Sequence, residues 1–213
     1  MFGDDHFKLL LPSYLTEPNK YRLRDALKQF LPEYRENQID YTDFYKKYEN
    51  KYFMQSDLMA EIRLRVWDIN TQSYNKNYID AIIVSNTCDV SFENKRDVNP
   101  KQCLLAPIIN LHEYVDDLGK CGYGAEKIKA FEENVKSQLL ANIFYLPPHL
   151  DMPASIALLD RIFWFPAKEL NAYIDTIDQD RMLSLSQFGF YLFILKLSYH
   201  LCRLPEQCDR EVA

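Results

Sequence analysis

Ile82, Ile83 and Val84 run without a break into Ser85, Asn86, Thr87, Cys88 and Asp89, and this junction constrains the fold more than any other stretch. Three consecutive β-branched residues favour a strand packed on both faces. The short polar side chains that follow bond to nearby backbone groups and turn the chain. A buried strand ending in a structural polar corner implies a sheet at the centre of the fold, with the corner as a candidate site.

On either side of this strand the hydrophobic period changes. Residues 1–52 read as a helical extension. Leu23, Ala26, Leu27 and Phe30 share one face of a segment that Pro18 introduces and Pro32 ends. Ile39, Tyr41, Phe44, Tyr45 and Tyr48 fit the apolar side of a second helix with a basic edge of Lys46, Lys47 and Lys51. The remainder, 53–213, reads as a barrel domain. Ile62, Leu64 and Val66 alternate with Glu61, Arg63, Arg65 and Trp67, a hairpin connection occupies 70–77, and a second strand covers 78–84. Strands over 103–109, 142–146 and 155–165 bring the total to about five, and Pro107 places the 103–109 strand at an edge or a bulge. Residues 116–124 hold three of the five glycines and read as a connection to an inserted helix over 125–140, with Ile128, Phe131, Val135 and Leu139 on its apolar side. A C-terminal amphipathic helix over 184–203 opens on Ser184 and Gln187 at capping-box spacing. It carries Leu185, Phe188, Leu192, Leu195, Tyr199 and Cys202 as a stripe. The class is therefore α+β, a curved antiparallel sheet with added helices.

Of the 213 residues 47% are hydrophobic, with fifteen tyrosines and thirteen phenylalanines, enough for a sizeable core in one domain. The formal charge of −6 disfavours nucleic acid as a partner, because non-specific binding rests on phosphate neutralisation. Five cysteines in unlike contexts and the lack of a secretory leader pattern at Met1 point to a reducing, cytoplasmic setting. The longest apolar stretch, 188–195, is too short to span a membrane and stops at Lys196. Neither C-x-x-C nor H-x-x-x-H spacing occurs, and His200, Cys202 and Cys208 make no zinc pattern, so no metal is expected. The run from Gly119 to Gly124 lacks the ending of a phosphate loop, so no cofactor is expected either.

Three groups of residues carry candidate chemistry. Cys88 and Asp89, with His112 as base, could form a thiol site; the simpler expectation is that Cys88 packs while Asp89 caps the turn. Arg63 and Arg65 share a strand face, and Arg161 lies on another strand, an arrangement suited to an RNA phosphate or a carboxylate-rich partner. Tyr41, Phe44, Tyr45 and Tyr48 are candidate partner-binding anchors, since interfaces concentrate their energy in aromatic residues.

The strand ending Ser85 to Asp89, the run Leu-Leu-Ala-Pro-Ile-Ile from Leu104, Phe-Tyr-Leu-Pro-Pro from Phe144 and Cys-Arg-Leu-Pro from Cys202 together resemble a group of uncharacterised bacterial proteins similar to the MazF/PemK-type small barrel. The resemblance covers 53–205. It implies an SH3-like barrel, and it extends to the MazF-like component of CRISPR-associated protease systems, which acts as an anti-sigma factor. MazF-type toxins are ribonucleases, yet the early glycine-rich loop with a basic residue has no counterpart here, since Gly3 is the one glycine before Phe53. The expectation is a non-catalytic regulatory protein of a prokaryotic antiviral defence or toxin-antitoxin system, binding a protein partner such as a sigma factor or a defence-system component. The alternative is a diverged endoribonuclease in which Arg63 or Arg65 stabilises phosphate charge and Ser85 or Thr87 contacts the RNA, with Cys88 beside them in the same site.

Overall fold

A computed structural model describes residues 16–28, 39–90, 102–150, 152–173 and 181–201. Within them lie α1 (Glu17–Lys28), β1 (Tyr45–Lys46), β2 (Asp57–Asp68), β3 (Ser73–Ile83), α2 (Thr87–Val90), β4 (Gln102–Asn110), α3 (Leu111–Lys120) and α4 (Ala125–Lys136). There follow β5 (Ile143–Leu146), β6 (Ser155–Leu158), a 3-10 turn (Leu159–Arg161), β7 (Phe163–Pro166), α5 (Ala167–Asn171), β8 (Arg181–Leu185) and α6 (Gln187–Leu201). The strands form one antiparallel sheet in the order β1-β8-β2-β3-β4-β6-β5, with β7 also on β4. It curls into a half-barrel. Among the described residues no helix is long and apolar enough to cross a membrane.

Both faces of the sheet are covered, which is why the central strands read as nearly continuous apolar runs. On one face Leu58, Ile82, Ala106, Phe144 and Ala157 pack with Phe44 and with Phe188, Leu192 and Phe193 of α6. On the other, Met59, Ala81, Ile83 and Leu105 pack with Phe53 and Phe165, while Ile143, Tyr145, Ile156 and Leu158 pack under α3 and α4. Ile83 is fully buried and Val84 nearly so.

Several boundaries differ from the sequence expectation. There are eight strands among the described residues: the expected 155–165 strand divides at the 3-10 turn into β6 and β7, and β1 and β8 were not expected as strands. Arg161 lies in that turn rather than on a strand. Strand β4 is central. It pairs β3 on one side, while on the other Gln102–Leu105 pair with β7 and Ile108–Asn110 pair with β6. Pro107 falls where the neighbour changes, so its missing N–H interrupts neither ladder. Residues 116–120 belong to α3, whose N-terminus is capped by Asn110: its side chain accepts the His112 N–H at 2.8 Å. The inserted helix ends at Lys136.

The expected second N-terminal helix is absent: between residues 39 and 50 the chain turns at Thr42 and Asp43, and Tyr45–Lys46 pair with Leu185 and Ser184 of β8. Helix α1 is present, with Leu23 and Ala26 buried in the same cluster as α6. The Leu27 side chain and Phe30 lie outside the described residues. The last helix begins at Gln187, since Arg181–Leu185 are strand, and Ser186 rather than Ser184 is its cap: the Ser186 hydroxyl accepts the Gly189 N–H at 3.3 Å. Cys202 lies outside the described residues.

At Gly189 α6 lies close against the backbone of the 39–46 segment. A Cβ there would lie 2.7 Å from the Phe44 carbonyl oxygen and 3.3 Å from the Leu185 side chain. We expect Gly189→Ala to destabilise the fold by about 2 kcal/mol in urea unfolding, since backbone must shift to admit one methyl.

The sheet ends are closed by different devices. Strand β1 is only two residues long, which leaves little edge. At β5 the buried Gln138, held at a φ of 57°, exchanges both amide bonds with the Tyr145 main chain, at 2.9 and 3.0 Å, and so stands in for a further strand. The Lys196 ammonium group, fully buried on α6, donates to the Gln138 carbonyl.

Candidate interaction surface

The polar corner is built into the scaffold. The Ser85 hydroxyl accepts the Leu104 N–H at 2.8 Å, locking the exit of β3 to β4. The Thr87 hydroxyl accepts the Gln55 N–H at 2.9 Å, and the Gln55 amide donates to the Val84 carbonyl at 2.7 Å. Asn86 caps α2: its side chain accepts the Cys88 N–H at 3.0 Å and its carbonyl accepts the Asp89 N–H at 2.8 Å. Asp89, expected as the cap, is inside the helix. Cys88 is exposed, and His112 stands at the far end of β4, so the two do not meet. We expect Asn86→Ala to cost about 1 kcal/mol through the lost cap, and Cys88→Ala to change stability by less than about 0.5 kcal/mol; paired thermal melts check both.

A cleft of about 460 Å³ opens beside this corner, lined by Thr87, Gln55, Lys46, Tyr48, Phe190 and Tyr191 among others. Among the described residues that line it there is no carboxylate, histidine or cysteine. Among the described residues no three His, Cys, Asp or Glu side chains gather as metal ligands.

The aromatic residues singled out between 41 and 48 are engaged inside the protein. Phe44 is buried, in edge contact with Phe188 at 6.2 Å and tilted against Phe144 at 6.1 Å. The Tyr41 hydroxyl donates to the Lys136 carbonyl at 2.7 Å and the Tyr45 hydroxyl to the Pro147 carbonyl at 2.8 Å. Burial pushes both phenols well above their ordinary range. Tyr48 is half-buried at the cleft.

Arg63 and Arg65 stand elsewhere. Strand β2 pairs β8 only from Asp57 to Met59, and β3 pairs β4 only from Asp80 to Ile83, whereas β2 and β3 stay paired with each other out to Asp68 and Ser73. The hairpin therefore projects past its neighbours as a two-stranded ribbon. At its base the register steps from Met59↔Ala81 to Ile62↔Ile79, a bulge at which Glu61 takes a φ of 52°. The extra residue reverses which side chains face the core. Without it Arg63 would follow Met59 into the cluster around Phe53; with it Ile62, Leu64 and Ile79 enter that cluster.

Arg63 and Arg65 thereby reach the opposite face, with Tyr78 and Lys76 as their direct cross-strand partners. All four are exposed, Tyr78 at 62%. Tyr74, two residues beyond Lys76, is also exposed. Among the described residues no side-chain hydrogen bond or ion pair engages Arg63, Arg65 or Lys76. The ribbon arginines and the Ser85–Cys88 corner sit at opposite ends of β3, on the order of 20 Å apart by strand rise, so a single phosphate cannot touch both. The alternation of Arg63 and Arg65 was legible in the sequence; Lys76 and Tyr78 were missed because only the hairpin register puts them opposite.

No family model matches the chain, and no curated protein matches it.

Proposed function

We propose that this protein is a non-catalytic interaction protein that acts by holding a partner protein. The regulatory setting, a prokaryotic antiviral defence or toxin-antitoxin system with an anti-sigma-like role, and the SH3-like character of the half-barrel rest on the sequence resemblance alone. The observation that carries the binding reading is the β2–β3 ribbon, whose cationic and aromatic face lies outside the packed sheet, its three cations without an internal partner among the described residues. Of the corner residues that a catalytic reading would use, Ser85 and Thr87 have their hydroxyls engaged by main-chain N–H groups.

The test is co-purification from the native host, with the captured protein identified, expressed separately and mixed with the purified chain. A stoichiometric complex on size-exclusion chromatography is the expected result. RNA cleavage by the repurified protein that disappears with Arg63→Ala would overturn it in favour of the endoribonuclease alternative.

A further inference from the structure

We infer that the face of the ribbon formed by Arg63, Arg65, Lys76 and Tyr78 docks an extended protein segment with carboxylates at alternate positions, a deepening that rests on the interaction reading above. Three cations occupy two successive same-face rungs of one ladder, with Leu64↔Asn77 between them facing the other way, and Arg65 lies directly opposite Lys76. Like charges in that position oppose strand pairing. A fold that needed only a stable hairpin would place an acid at one of the two sites; an anion bound between them removes the repulsion.

Geometry selects the form of that anion. Arg63 and Arg65 are two residues apart on one strand, a spacing of about 6.6 Å, which is also the spacing of same-face side chains on an extended peptide. Each guanidinium can then take one carboxylate in a bidentate fork. Tyr78, opposite Arg63, adds a hydroxyl donor and an exposed ring for the intervening stem.

Charge decides between a peptide and a longer polyanion. The whole chain carries a formal charge of −6, so the positive face is local. A short acidic run is attracted to it and stays clear of the acidic remainder, whereas a nucleic acid presents the same charge along its whole length.

The probe is a fluorescent peptide with glutamate at every second residue, compared with its glutamine counterpart and with a single-stranded oligonucleotide of similar length. Binding to the full chain is read by anisotropy at low and at physiological salt. The glutamate peptide should bind and the glutamine peptide should not. Affinity should fall at least about tenfold in Arg63→Ala/Arg65→Ala, stay unchanged in the exposed-turn control Arg161→Ala, and weaken with salt. Circular dichroism and thermal melts establish that the variants fold. The inference is overturned if the double variant binds the glutamate peptide as wild type does, or if the oligonucleotide binds more tightly than the peptide. A native partner complex that forms but survives the double substitution overturns this surface and leaves the interaction reading standing; absence of any partner complex overturns that reading itself.

Discussion

Arg181→Ala is expected to cost about 3–5 kcal/mol in urea unfolding, because it strands a carboxylate inside the protein. Asp57 and Arg181 are both almost fully buried, with Arg181 Nη1 3.6 Å from Asp57 Oδ2. Burial holds the Asp57 carboxyl above its ordinary range against the pull of Arg181 and of the Met54 N–H that it accepts at 2.9 Å. The guanidinium also donates to the Tyr48 carbonyl at 2.7 Å and the Asn50 carbonyl at 3.4 Å, so it fastens β8 to both β2 and the chain after β1. Asp57→Asn should cost less than Arg181→Ala, since it leaves no buried anion. In a double-mutant cycle the two losses should sum to more than the double variant loses. Equal losses from Arg181→Ala and from Arg161→Ala would show that the pair contributes nothing.

The second large effect is one of pH. Burial lowers the Lys196 pKa to about 7, while the unfolded lysine titrates near 10.5. Below pH 7 both states hold the proton and the folded state carries the full cost of a buried cation. As pH rises through 7 the folded lysine is deprotonated and the unfolded one is not, so stability increases by up to about 1.4 kcal/mol per pH unit. Between pH 7 and 9 the gain should be about 2 kcal/mol. Above that the trend reverses: burial raises the Cys103 thiol to about 11 and the Tyr41 and Tyr45 phenols higher still, so the unfolded state ionises first. Urea melts of wild type and Lys196→Met across this range test the assignment. The methionine variant should lose the rise and keep the fall, and a rise of equal slope in both would show that another group is responsible.

Lys196 also illustrates why some of the fold was hidden in the sequence. A lysine that ends an apolar run reads as solvent-exposed, and the position of Gln138, in the turn between α4 and β5, gives its ammonium group a buried acceptor. Asp57 and Arg181 are invisible as a pair for the same reason. What local pattern could show, it did: the alternation from Ile62 to Val66, the apolar run at Ile82 to Val84 and the stripe from Phe188 to Leu192 all correspond to real elements. The misreading of 39–48 as helix has a specific cause. Phe44 points into the core while Tyr41 and Tyr45 pack around it across a turn, and the resulting three- and four-residue spacings mimic a helical face. The division of β6 from β7 was equally hidden, since Ile162 and Phe163 continue the apolar run through the 3-10 turn.

The order of the strands has a consequence for how the molecule comes into being. One of the two strands that flank β2, β8, is made more than a hundred residues after it, and β1 waits for the same partner. At about 5–20 residues per second this leaves an interval on the order of ten seconds. Throughout it the nascent chain offers the Asp57–Met59 edge of β2 and the side chain of Asp57 to whatever is near. The ribbon, whose two strands are adjacent in sequence, can pair within that interval, so the surface proposed here to recognise a partner is complete before the sheet that supports it closes.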